Sequence, residues 1–352
     1  MARLDKTSHV QSANNDTGVS MNRLLNALFI IAVLFLASGT STAYTCSWGA
    51  YANGMTAIVA RTMDSMGWYT NDNAIVKGHG RNIEEISAGT QNAYGYTSKY
   101  ASIRIHSFYD IVTDAMNEKG LQISALLFEG SLLPNPISRR KDVTILNFIP
   151  YVIANFATVD EVIASLDNIN IIEGTLNVTS MDGKTVTREG KDVPLHFAMA
   201  DTSGDKAIIE FINGEMKVYH GKEHNALTNE PSYDVHLALE ATLYQPNATV
   251  NSIDRRARMK GYLRDMAERG VDDHKRALFG MRGLLARSFA GTEEIDRRDD
   301  RVYPTVWMAL ADQTERKYYV SRCDAWKWEV YNFTMFDSHR PEVRILKAAD
   351  VK

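Results

Sequence analysis

Apolar and polar positions divide this chain into two unequal parts. Ala27 to Ala37 is apolar throughout, preceded by Met21-Asn22-Arg23 and followed by Ser-Gly-Thr-Ser-Thr-Ala. From Cys46 onward the apolar residues come in short runs separated by Gly, Asn and Asp. The first of these runs reads as a hairpin, Cys46 to Asp64, hinged at Asn53-Gly54, a pair suited to a two-residue type I′ turn. With that loop Ala52 faces Met55, Trp48 faces Val59 and Cys46 lies opposite Arg61. Their Cβ atoms would then be about 5 Å apart on one face of the sheet. Asp64 falls on the other face unless the strand bends after Arg61.

Further strands are expected at Asn73–Lys77, Lys99–His106 and Leu121–Phe128, the last after a turn at Asn117–Gly120. Helical spacing covers 142–155, which Pro150 should kink or split, and 158–166, where Thr158-Val-Asp-Glu161 forms a capping box. A meander follows: Leu195–Met199, a turn over Asp201–Asp205, Ala207–Ile212 and a turn at Asn213-Gly214. Ser252–Arg264 is a basic helix whose arginines read as a solvated face, and Lys275–Phe289 is a second helix. Strands at Tyr303–Ala311, Lys317–Cys323 and Trp326–Phe333 close the chain. Strands at both ends with helices between and after them predict an α+β layer fold, antiparallel sheets covered by helices.

The apolar run is well short of the ~20 residues of a membrane span. Its basic start, short apolar core and small-x-small site Ser41-Thr42-Ala43 have the layout of a secretory signal peptide. The expected organisation is a signal peptide with a short propeptide over 1–45 and one domain over 46–352. The protein is then exported, periplasmic or secreted, from a bacterium, with no membrane span left after processing. Losing 1–45 removes three basic and two acidic residues from totals of 39 and 43, leaving a net charge of −5. That balance gives no electrostatic reason for a nucleic-acid partner. Asp201 and Asp205 fit a turn better than a calcium loop, and His220 with His224 lacks a third zinc ligand. No metal and no cofactor is expected.

Only two cysteines occur, Cys46 and Cys323. A disulfide between them is one use; the other follows from Cys46 standing just after the signal segment. A cysteine that becomes the first residue carries its own α-amine, with an ordinary pKa of roughly 7.7–8.0, as a built-in base. A nearby arginine favours the reactive thiolate.

Cys46, Ala60-Arg61-Thr62-Met63-Asp64, Met116-Asn117-Glu118-Lys119-Gly120-Leu121, Leu195-His196 with Asp201 and Gly204, and Leu227-Thr228-Asn229 with Pro231 occur in this order. Together they resemble the choloylglycine hydrolase family, which includes bile salt hydrolases and penicillin V acylases. The resemblance implies a four-layer αββα N-terminal-nucleophile fold and hydrolysis of a linear amide through a thioester on Cys46. It implies that Asp64 holds the α-amine, that Arg61 lies against the sulfur, and that the Asn229 amide and the Leu127 N–H receive the oxyanion. The late family arginine matches Arg255, with Arg256 one residue away. Removal of Tyr44-Thr45 by self-processing and assembly as a homo-oligomer, a tetramer, are also implied. Departures from the family pattern are Ser47-Trp48 after the cysteine, Ser65 after Asp64 with Trp68 further on, and an apolar Leu127. The apolar Leu127, with export, an acidic mature chain and no cofactor motif, favours a substrate with a bulky apolar acyl group; conjugated bile salt, penicillin V and N-acyl homoserine lactone types all stay open. The alternative is an exported non-enzymatic binding protein of the same fold with Cys46 in a disulfide or lipidated.

Overall fold

The structure is a computed structural model and describes residues 45–65, 74–107, 111–179, 185–189, 194–296, 300–323, 325 and 327–348. The expected signal segment, Trp68, and the first residues of two expected strands, Asn73 and Trp326, lie outside them.

Two antiparallel sheets carry the architecture. The first strands are β1 (Cys46–Ala52), β2 (Ala57–Asp64), β3 (Ile75–His79), β4 (Ser102–Ser107), β5 (Ile111–Asn117) and β6 (Gln122–Leu127). Then come β7 (Leu195–Ala200), β8 (Lys206–Ile212), β9 (Glu215–His220) and β10 (Ala226–Leu227). The last are β11 (Thr305–Asp312), β12 (Lys317–Arg322), β13 (Trp328–Asn332) and β14 (Val343–Ile345). One sheet has the order β10-β1-β2-β11-β12-β13, and the other β9-β8-β7-β6-β5-β4-β3-β14.

Side-chain parity shows how they stack. In β1 and β2, Cys46, Trp48, Ala50, Val59 and Met63 enter a core shared with Ile103, Leu126, Ala198 and Ile208 of the other sheet. Tyr51, Ile58 and Ala60, on the opposite face, pack against α4 (Ser252–Glu268) and α5 (His274–Ser288). In the second sheet Ile123, Ala125, Ile209 and Phe211 turn the other way, onto α1 (Phe148–Asn155) and α2 (Val159–Ser165). α3 (Tyr233–Ala241) follows β10. Three cores between four layers make an αββα sandwich, the fold class expected. Strands buried on both faces need no polar alternation, so β2 is buried along its whole length.

Four local readings are corrected. Residues 142–144 belong not to a helix but to a strand, Lys141–Thr144, paired in parallel with Ile169–Ile172. Pro150 then sits in the first turn of α1, where its missing N–H has no intrahelical partner to lose, and splits nothing. At Thr158 half of the capping box forms: its side chain accepts from the Glu161 N–H, while the Glu161 carboxylate takes the Ala157 N–H instead. The arginines at the start of α4 are not a solvated face, for Arg255 and Arg256 are 0% and 2% exposed.

A further correction is the register of the first hairpin. Cys46 pairs with Met63 and Trp48 with Arg61, two residues from the expected alignment. Only Gly54 has positive φ, and the connection is four residues long, Asn53 to Thr56. Asn53 Oδ1 accepts from the Met55 and Thr56 N–H groups at 3.0 and 2.8 Å and closes the loop. A shift of two preserves the face, so Cys46 and Arg61 still share one, as diagonal neighbours about 7 Å apart.

Candidate active site

Cys46 opens β1, and its surroundings come from five elements. Its thiol lies 3.6 Å from the Met63 sulfur on the paired strand. Its backbone N–H donates to Asn229 Oδ1 at 2.5 Å, and its carbonyl accepts from Arg255 Nη1 at 2.7 Å. Arg255 Nη2 also reaches Asn229 Oδ1, at 3.1 Å, and Nη1 the Ser47 hydroxyl, at 2.5 Å. The first turn of α4 thus drives one guanidinium into the head of β1. Arg256 turns away to the Ala226 carbonyl and Glu240, so Arg255 is the arginine at Cys46.

Asp64 joins them although β2 keeps its register with β1 from Arg61 to Met63, without the bend expected after Arg61. It ends β2, where the pairing with β11 shifts register between Thr305 and Trp307. The Thr305 hydroxyl donates to its Oδ1 at 2.7 Å and the Thr45 hydroxyl to its Oδ2 at 3.2 Å; Arg255 Nη1 is 3.7 Å from Oδ2. Full burial pushes the carboxyl up to about 6, against the pull of Arg255 and these hydroxyls. Arg61, 1% exposed, donates to the carbonyls of Thr62 and Ala125, both at 2.7 Å, and lies over Trp307.

The Leu127 backbone is positioned by the end of a ladder. Phe128 N–H donates to Pro194 across β7, so the N–H and C=O of Leu127 point to the other side of β6. There the pairing with β5 has stopped at Ser124. The Leu127 carbonyl accepts from Asn229 Nδ2 at 2.8 Å, which sets its N–H on the same side as that amide. One hydrogen of the Asn229 NH2 remains. The Leu127 side chain has the parity of Ile123 and Ala125, toward α1 and α2. The apolar group beside the thiol is therefore Met63, rather than Leu127 as expected.

Neither Cys46 nor Cys323 is in a disulfide. β2 and β11 separate β1 from β12, whose end carries Cys323. At roughly 4.8 Å per strand spacing that is about 14 Å, beyond disulfide reach, and the disulfide alternative is set aside. Thr45, Ser47, Met63 and Thr305 were not read as site residues from the sequence. Met63 was legible, since the correct hairpin register would have set it opposite Cys46. Thr305 lies 241 residues from Asp64 and leaves no local signal.

An αββα sandwich whose first inner strand opens on a cysteine has the architecture of the N-terminal-nucleophile hydrolases. The sequence pattern of the linear amide C–N hydrolases, choloylglycine hydrolase family, matches residues 49–253, and the chain belongs to that family. A penicillin V acylase of Pectobacterium atrosepticum is 29% identical over 227 residues, 62% of this chain and 58% of that protein. A bile salt hydrolase/transferase of Clostridium perfringens is 29% identical over 147 residues, 40% of this chain and 41% of that protein. The chain thus spans about half the length of these curated relatives. The solved penicillin V acylase from Agrobacterium tumefaciens superposes with a TM-score of 0.68 at 25% identity, over 85% of this chain and 90% of that one. A conjugated bile acid hydrolase variant from Clostridium perfringens has a TM-score of 0.69 at 18% identity, over 86% and 97%, a likeness of fold.

Proposed function

We propose that the protein is exported, loses residues 1–45, and hydrolyses a linear amide with Cys46 as N-terminal nucleophile. The observation that carries this reading is the convergence of Asn229, Arg255 and Asp64 on the one residue whose nitrogen would become the free α-amine. In the mature chain that amine takes the thiol proton, and the thiolate attacks the amide carbonyl. The oxyanion accepts from the Leu127 N–H and the remaining Asn229 hydrogen. Collapse breaks the C–N bond, the leaving amine takes the proton back, and a thioester remains. Water activated by the same amine then releases the acid. Asp64 and Arg255 hold the head of β1, and Arg61 lies on the same face of the β1–β2 pair as the thiol.

Mass spectrometry of the amino terminus tests the first step: the expected mature chain begins at Cys46. A chain that retains Tyr44 and is still active would overturn the mechanism. Cys46→Ala is expected to abolish hydrolysis and self-processing while the fold persists.

The substrate we favour has a bulky apolar acyl group set against Met63 and a polar amine part near solvent. Burial of the acyl part then supplies selectivity at roughly 25 cal/mol per Å². A conjugate panel varied independently on each side of the amide should give rates that follow the acyl part. Rates that follow the amine part alone would refute the pocket and spare the nucleophile. Assembly as a homo-oligomer is expected from the family resemblance and is read by light scattering.

A further inference from the structure

A cavity of about 600 Å³ is walled by Asn225, α3, residues 243–246, α4 and Arg287 of α5. Its lining is charged unevenly: Arg256, Arg258, Lys260, Arg264 and Arg287 face two acids, Glu240 and Asp265. Glu240 is already shared by Arg256 at 2.9 Å and Lys260 at 3.1 Å, and Arg264 is 3.9 Å from Glu268.

Arg258 and Arg287 are different. Arg258 donates only to carbonyls, those of Arg287 at 3.2 Å and Asn247 at 2.5 Å. Arg287 donates to the Gly283 carbonyl at 2.7 Å and stacks on Tyr262, its guanidinium carbon 3.8 Å from the ring centre. Among the described residues neither is in an ion pair; burial lowers the pKa of Arg258 against the pull of Asp254 and Glu294, which act on it without a direct contact. Beside them the lining is apolar, with Leu239, Ile253 and Leu243. Leu243 is 77% exposed and has φ 56°, a conformation a leucine adopts at a cost.

A cavity within the size range of small-molecule sites, lined by apolar side chains and by two arginines whose direct hydrogen bonds among the described residues go to carbonyls, suits one ligand chemistry. We propose that it binds a small amphipathic monocarboxylate. The free N–H groups of Arg258 and Arg287 take the carboxylate, and the apolar tail lies along Leu239, Leu243 and Ile253. Acids released by the hydrolysis proposed above fall in this class, but the binding claim stands without that reaction.

The test is calorimetric titration of the full chain carrying Cys46→Ala with octanoate and, separately, with 1-octanol. Saturable binding of octanoate at one site is expected, with octanol weaker by about tenfold or more, the worth of one charge-assisted hydrogen bond. Arg258→Gln with Arg287→Gln should weaken octanoate by a similar factor. Leu243→Asp, at an exposed position where folding is not at stake, should weaken it as well. No saturable binding, equal binding of octanol, or octanoate binding indifferent to Leu243→Asp would each overturn the proposal. The last result would put the ligand elsewhere, including at Cys46.

Discussion

Asp64 illustrates how much a single side chain can hold in tension at this site. Burial raises its carboxyl from the ordinary 3.8 to about 6, so the folded chain retains a proton that the unfolded chain has released. The stabilisation linked to that proton is present below the ordinary value and is lost as pH rises through about 6. Two pKa units correspond to on the order of 3 kcal/mol. Melting the uncut Cys46→Ala protein with and without Asp64→Asn should therefore show the Asp64 form losing ground between about pH 4 and 6, then a constant offset. A flat difference across that window would mean that Asp64 is not proton-linked. Arg61 makes a second case. Near Cys46 it reads from the sequence as a catalytic charge alone, but its hydrogen bonds to Thr62 and Ala125 make it structural. Arg61→Ala leaves those buried carbonyls unpaired and should cost about 2–4 kcal/mol in denaturant unfolding besides activity. A variant with unchanged stability, rate and thiol pKa would refute both roles.

Among the elements, β1 is the one squeezed from both sides, and Gly49 shows it. A Cβ at this position would sit 2.7 Å from Leu284 Cδ2 and 2.9 Å from Met259 Cε, on the face covered by α4 and α5. Gly49→Val should lower stability by about 1–3 kcal/mol and Gly49→Ala by less, since the tips of Met259 and Leu284 can yield. Equal stability of both with the parent would mean that α4 and α5 ride further from the sheet. This element also shows what could be read in advance. Asn213-Gly214 has both residues at positive φ and joins β8 to β9 with two residues, as such a pair predicts. Asn53-Gly54 carries the same letters, yet Asn53 spends its side chain on the Met55 and Thr56 N–H groups and the loop grows to four. The difference lies in side-chain bonding that a dipeptide does not reveal. Period two rescued the reading, because the misalignment was an even number of residues and left Cys46 and Arg61 on one face. The strand at 141–144 was hidden for another reason: its partner, Ile169–Ile172, is distant in sequence, and a short apolar run bears no mark of such pairing.

Across the whole molecule, the layered plan could be anticipated from strands at both ends enclosing helices, and the sequence order of the Cys46, Arg61, Asp64, Asn229 and Arg255 motifs survives as spatial convergence. What could not be anticipated was how the uncut chain occupies the site. Thr45 is 1% exposed and its hydroxyl holds Asp64, while the nitrogen of Cys46 is still an amide, with no basic lone pair to accept a proton. On the proposed mechanism this separates folding from activity in time: as long as Thr45 precedes Cys46, an amide stands where a base must appear, and the folded chain would be latent. In a pulse experiment catalytic rate should rise in step with the disappearance of Thr45 from the amino terminus and lag the appearance of folded protein. Rate that tracks folding instead would mean that the leader is no safety catch.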